Sequence, residues 1–144
     1  MSKKWDERFM HLACFIGQWS KDPSTKVGAV LARDDHSIIS VGFNGFPRAI
    51  EDTPEKLNDR GAKYARVIHA EANAIRFAGG QDLSDSSLYV HGLPPCHLCA
   101  PMIVQYEIPR VAVQDFMLDH PERGLNNRLS HTILIEGGVK VDFI

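Results

Sequence analysis

Four side chains have the types and spacing to do chemistry in this sequence. His69 and Glu71 lie in His69-Ala70-Glu71-Ala72-Asn73-Ala74-Ile75, and Cys96 and Cys99 lie in Pro94-Pro95-Cys96-His97-Leu98-Cys99. One imidazole and two thiolates are ligands for Zn²⁺, and three protein ligands leave a fourth position open to water, the pattern of a catalytic zinc site. A closed structural site would need one more ligand. His91, which ends an apolar run shortly before Cys96, is the candidate, whereas His97 between the cysteines should point away. His11, His36, His120 and His131 stand isolated in the sequence and read as surface residues. Two thiolates and a neutral imidazole cancel the charge of Zn²⁺, so such a site acidifies its water less than an all-histidine site does. A neighbouring base is then required, and Glu71 is the carboxylate placed to move protons between water, substrate and leaving group.

The elements that carry these groups follow from their spacing. Cys96 and Cys99 are three residues apart, so both sulfurs can face one point at the start of a helix running to about Tyr106, with Pro95 at its entrance. A helix N-terminus also favours thiolates, because its unpaired backbone N–H groups carry partial positive charge. Two residues apart in a regular helix, His69 and Glu71 would lie on nearly opposite faces. Both reach one metal only if the helix over 68–78 starts at or just before His69, with His69 at its first turn or cap; Gly79-Gly80 then stops it.

Around these two helices, the apolar spacing over Trp5–Trp19 predicts an amphipathic helix. The runs Val27–Ala32 and Ile38–Phe43 predict strands joined as a hairpin across Arg33–Ser37. Asn44 to Arg66 is polar, contains Pro47 and Pro54, and shows no sustained period, which reads either as a long irregular lid or binding loop or as a solvated insertion. Leu88–His91 and Arg110–Val113 are further strands, followed by a short helix near Pro121–Leu129 and a last strand within Val139–Ile144. Strands alternating with helices, opened by a hairpin, predict an α/β class: a three-layer α/β/α sandwich with a central mixed β-sheet, as one domain over residues 1–144.

Composition narrows the function classes. The 144 residues are 44% hydrophobic and 24% charged, a globular balance. No apolar run approaches the roughly 20 residues of a membrane span. The N-terminus lacks the pattern of a signal peptide, so the expected location is the cytoplasm. Three cysteines, two of them spaced as ligands, argue against a disulfide framework, and Cys14 reads as a small apolar residue. A formal charge of −2 supplies no overall attraction for a nucleic-acid polymer.

The His-x-Glu and Pro-Cys-x-x-Cys pairing is similar to the signature of the zinc-dependent nucleobase deaminases. Asp22-Pro23-Ser24-Thr25-Lys26-Val27-Gly28-Ala29-Val30, Val41-Gly42-Phe43-Asn44-Gly45-Phe46-Pro47-Arg48 and the His69–Ile75 stretch resemble the deoxycytidylate (dCMP) deaminase family in particular, over most of the chain as far as about Val113. The family usually has threonine where His91 stands and tyrosine where Phe43 stands. The resemblance implies a cytidine deaminase-like fold and hydrolysis of dCMP to dUMP and ammonia. It implies His69, Cys96 and Cys99 as zinc ligands, and Glu71 as the proton carrier. It also implies a homo-oligomer, commonly a hexamer, activated by dCTP with Mg²⁺ and inhibited by dTTP. The effector would sit on Gly42, Phe43, Asn44, Gly45, Phe46 and Arg48. The expected substrate contacts are Thr25, Asn44, Ala70, Lys63 and Arg66, with Arg123 or Arg128 as further phosphate candidates and Phe116 closing over the base or sugar. Two other readings compete: a tRNA-adenosine-type deaminase, which would show a basic groove, and a non-catalytic zinc-binding interaction module, against which Glu71 argues.

Overall fold

A computed structural model describes residues 2–144. Helix α1 (Lys3–Gly17) leads into strands β1 (Gly28–Arg33) and β2 (Ile38–Phe43). Helices α2 (Pro54–Asn58), α3 (Arg60–Arg66) and α4 (Ala70–Phe77) precede β3 (Ser86–His91). Then come α5 (Cys99–Gln105), β4 (Arg110–Val113), α6 (Gly124–Glu136) and β5 (Lys140–Phe143). The strands form one mixed sheet in the order β2-β1-β3-β4-β5. β1 is antiparallel to both of its neighbours, whereas β3, β4 and β5 run parallel.

Side-chain alternation along the strands divides the core into two faces. Ala29, Leu31, Leu88, Val90, Val111 and Val113 pack with Ala74, Ile103 and Leu134 from α4, α5 and α6. Val30, Ala32, Tyr89 and Ala112 turn the other way, onto Phe9, Met10 and Ala13 of α1. The molecule is therefore the three-layer α/β/α sandwich expected. Burial on both faces is why the β1 and β3 sequences read as near-continuous apolar runs.

The α1 side is pinned by a polar clamp. Asp6 accepts from the Tyr89 hydroxyl at 2.6 Å and from two Arg110 nitrogens at 3.0 Å each, and Arg110 Nε donates to Asp142 at 2.6 Å. Burial, reinforced by the bond to Asp6, pushes the Tyr89 phenol above its ordinary value. Arg110 is held more firmly protonated by Asp6 and Asp142, despite its own burial.

Four details of the elements depart from expectation. The segment 44–66 is not a continuous loop, because it contains α2 and α3. Pro54 occupies the first turn of α2, where its missing N–H costs nothing, and Thr53 Oγ1 caps that helix by accepting from Lys56 N at 3.3 Å. Asp59 caps α3 by accepting from Ala62 N at 3.0 Å. These helices are too short for a periodic pattern to declare itself. The histidine helix begins at Ala70, and Ile68 instead exchanges backbone hydrogen bonds with Gly45, at 2.8 and 3.1 Å. α5 begins at Cys99, with Cys96 in the turn ahead of it, whose carbonyl accepts from Cys99 N and Ala100 N at 3.0 Å. Finally, α6 starts later and runs further than the short helix expected. Its buried positions Gly124, Asn127, Ser130 and Leu134 are mostly small or polar while Leu125 is 74% exposed, so its apolar period is weak.

Candidate active site

The site forms where α4 and α5 begin against the sheet. His69 is the N-cap of α4, with extended backbone (φ −72°, ψ 155°), so its ring is not constrained to the helix surface. Glu71, in the first turn, can thus share a site with it. His69 Nδ1 lies 3.4 Å from Cys96 Sγ and 3.3 Å from Cys99 Sγ, and the three ligand atoms all fall within 4.8 Å of one another. Tetrahedral zinc with bonds of about 2.0–2.3 Å sets N and S ligand atoms roughly 3.6 Å apart, so this triad has the size and donor chemistry of a zinc site. The Cys99 thiol donates to Cys96 and, with His69 alongside, draws the Cys96 thiol well below its ordinary value although burial opposes this; the same bond and burial push Cys99 up. Ser130 Oγ of α6 donates to Pro95 O at 2.6 Å and fixes the approach to Cys96.

Glu71 is only 3% exposed. Burial pushes its carboxyl up to about 7, against the lowering influence of its own backbone N–H and of His69. A carboxyl in that range both accepts and donates protons near neutral pH, as a proton carrier must. Asn73 Nδ2 donates to Phe43 O at 2.8 Å, which ties this first stretch of α4 to the end of β2.

A cavity opens over these groups, lined by Asp22, Thr25, Val27, Asn44, Lys63, Tyr64, Val67, Leu93, Pro94 and Arg123 besides His69, Ala70, Glu71 and Cys96. Asp22 and Lys63 form a buried ion pair, with Lys63 Nζ 3.2 Å from Asp22 Oδ1 and 2.8 Å from Ser24 Oγ. Asp22 also accepts from the backbone N–H groups of Ser24 and Thr25. The Asn44 side chain is used within the wall, accepting from Val27 N at 2.9 Å and donating to Thr25 O at 3.0 Å.

Among the residues expected to contact substrate, Thr25, Asn44, Lys63 and Ala70 line this cavity, as does Arg123. Arg66 does not: its guanidinium donates to Ala62 O within its own helix. Arg128 does not either, and donates to Leu118 O. Phe116 is 1% exposed and packs edge-on to His131 in the core, so it is a core residue rather than a cover for the base. By strand alternation His91 shares the α1 face of β3 with Tyr89, and burial there, with His11 of α1 nearby, lowers its imidazole below the ordinary value. That places the sheet between His91 and the His69–Cys96–Cys99 group, to which it does not belong. Two of the isolated histidines are engaged in local structure, His36 stacked on Trp5 and His120 accepting from Arg123 N. Leu93 and Pro94 lie on the approach to Cys96, whereas Tyr64 and Val67 also line the cavity with no motif to mark them in the sequence. Asp22 was quoted there only within its motif, and its position beside Ser24 and Thr25 was the available signal.

A second groove, of about 400 Å³, adjoins the first and is lined by Trp19, Lys21, Phe43, Asn44, Gly45, Phe46 and Arg48 among others. Gly42 of the same motif is absent from its wall. It sits instead where β2 crosses α4, and a Cβ there would come within 2.5 Å of Ala70 O.

Residues 3–115 match the family described as the cytidine and deoxycytidylate deaminase zinc-binding region. The chain is 39% identical over 145 residues to an uncharacterized deaminase in the luxG 3' region of Aliivibrio fischeri, covering all of this chain and 96% of that protein. It is 39% identical over 115 residues to the deoxycytidylate deaminase of Mus musculus, covering 75% of this chain and 63% of the mouse protein. The crystal structure of dCMP deaminase from the cyanophage S-TIM5 in complex with dCMP and dUMP superposes with a TM-score of 0.78 at 25% identity, over 100% of this chain and 99% of that one. The chain therefore belongs to the zinc-binding cytidine and deoxycytidylate deaminase family and is a hydrolytic deaminase.

Proposed function

We propose that this enzyme hydrolyses dCMP to dUMP and ammonia. The observation that carries the reading is a buried Glu71 beside a His-Cys-Cys ligand group, on the wall of a cavity that also holds Thr25 and Asn44. Its relatives named deoxycytidylate deaminases and the dCMP-bound phage structure support that substrate. Held by His69, Cys96 and Cys99, zinc would supply Lewis acidity to a water molecule. Glu71 takes a proton from the attacking water and gives one to the ring nitrogen beside the amino-bearing carbon. It then takes the remaining proton from the hydroxyl added at that carbon and delivers it to the amino group, so that the C–O bond becomes the product carbonyl as the C–N bond breaks and ammonia leaves. The buried walls around Glu71 exclude bulk water, and the Asn44 side chain holds the Thr25–Val27 backbone in place at the cavity edge. Ammonia release from dCMP, deoxycytidine, cytosine and guanine measured in parallel tests the substrate; a preference for anything but dCMP overturns it.

The adjoining groove favours a second element of the reading, control by dCTP with Mg²⁺ as activator and dTTP as inhibitor, in a cytoplasmic homohexamer. Its aromatic residues Trp19, Phe43 and Phe46 offer stacking surface and Arg48 offers a cation, as a nucleotide requires. Asp22, Asn44, Lys63 and Val67 line both cavities, so a ligand in one bears directly on the wall of the other. Light scattering tests the hexamer.

A further inference from the structure

Two cations line the catalytic cavity, and they are not equivalent. Lys63 is spent: its ammonium binds Asp22 and Ser24 and lies over the Tyr64 ring, so its charge is cancelled inside the wall. Arg123 is half-buried, and among the described residues its guanidinium has no hydrogen-bond or ion-pair partner. Its backbone, by contrast, is fixed. Arg123 N donates to His120 Nδ1 at 3.0 Å, Glu122 N donates to the same nitrogen at 3.1 Å, and Arg123 O accepts from Asn127 N at 2.9 Å. The held backbone sets an uncommitted guanidinium at the cavity wall, where its planar fork has its donors free to meet a phosphate in two parallel hydrogen bonds. None of the remaining charged groups of the cavity offers a free cation: Lys63 is paired with Asp22, two thiolates would offset a zinc ion, and Glu71 carries no positive charge. Arg123 therefore supplies the attraction for an anionic substrate.

We propose that Arg123 is the specificity-determining residue of this enzyme, binding the 5'-phosphate and so separating the nucleoside monophosphate from the parent nucleoside. This rests on the deaminase reading above. The test compares wild type, Arg123→Gln and Arg123→Lys as zinc-loaded proteins, by kcat/KM on dCMP and deoxycytidine and by calorimetric affinity for dUMP and deoxyuridine. Loss of charge-assisted hydrogen bonds to a phosphate should lower kcat/KM on dCMP by about 10- to 100-fold in Arg123→Gln, chiefly through KM. The affinity for dUMP should fall by the same factor. Values for deoxycytidine and deoxyuridine should stay within about twofold, and Arg123→Lys should recover part of the loss, since it keeps the charge without the fork. Equal losses on nucleotide and nucleoside would make Arg123 a structural residue and overturn the proposal, as would no loss on either. Should wild type turn over neither substrate, the deaminase reading fails, and the dUMP and deoxyuridine affinities still decide the role of Arg123.

Discussion

Glu71 stands where burial and an adjacent helix start pull its proton affinity in opposite directions, and burial wins. Glu71→Gln keeps the shape and cannot carry a proton, so kcat on dCMP should fall by about 10²–10⁴-fold while zinc content and melting temperature hold. A variant retaining more than about a tenth of the activity would remove Glu71 from the mechanism. Cys99→Ala removes a ligand from a group that, among the described residues, holds only His69, Cys96 and Cys99, since His91 lies across the sheet. Zinc per chain, measured by elemental analysis, should drop toward zero in that variant from near one in wild type. At this scale the sequence was informative because the ligand types are few: a single Cys-x-x-Cys occurs, and of the two His-x-Glu triplets only His69–Glu71 runs into a helical apolar pattern, Pro121 interrupting the other. Phe116 shows the opposite case, since one side chain's type does not say whether it faces a cavity or the core.

Between elements, the close crossing of β2 and α4 is what brings the Phe43–Arg48 stretch beside the helix that begins at His69. Gly42 permits it, because its missing Cβ is the space in which the Ala70 carbonyl lies. Gly42→Ala should destabilise the protein by about 1–3 kcal/mol, as overpacking does. That should appear as a lower urea midpoint with an unchanged slope. A midpoint equal to wild type would show that the two elements separate without cost. The capped helices α2 and α3 were hidden in the sequence for a physical reason: each is stabilised by one cap and local bonds rather than by an apolar face, so neither leaves a period to read.

For the molecule as a whole, pH should act through the raised carboxyl of Glu71 and two depressed ones. Asp22 is held low by the Ser24 and Thr25 backbone N–H groups and by Lys63, and Asp142 by Arg110 and Lys140, in both cases against the opposing effect of burial. A folded-state value below the unfolded one contributes stability that is present above the unfolded value, about pH 4, and is lost as pH falls through the folded value. Glu71, raised to about 7, acts in the opposite sense, so urea midpoints should rise as pH falls from neutral to about pH 5 and decline below about pH 4. Asp22→Asn leaves a buried ammonium without its anion and should cost about 3 kcal/mol at neutral pH, with the gap to wild type narrowing at the acid end. A gap that stays constant down to pH 3 would mean the ion pair contributes nothing. The paired grooves carry a further expectation at this scale. Low micromolar to millimolar dTTP, the ordinary range for small ligands, should inhibit at subsaturating dCMP, and dCTP with Mg²⁺ should relieve it. Substrate curves that no effector shifts would show that the second groove is not a control site.

The sequence by itself determined the α/β class, the strand positions and the identity of the clustered soft ligands. Those depend on residue type and on short periods of two to four residues, which the chain displays locally. Tertiary structure decided what depends on direction. It set His69 at a cap rather than within a helix, put His91 on the far face of β3, neutralised Lys63 with Asp22, and left Arg123 uncommitted over the cavity. Lys63, Arg66, Arg123 and Arg128 are all cations in the sequence; Asp22 cancels the charge of Lys63, the carbonyls of Ala62 and Leu118 hold Arg66 and Arg128 away from the cavity, and only folding supplies those partners.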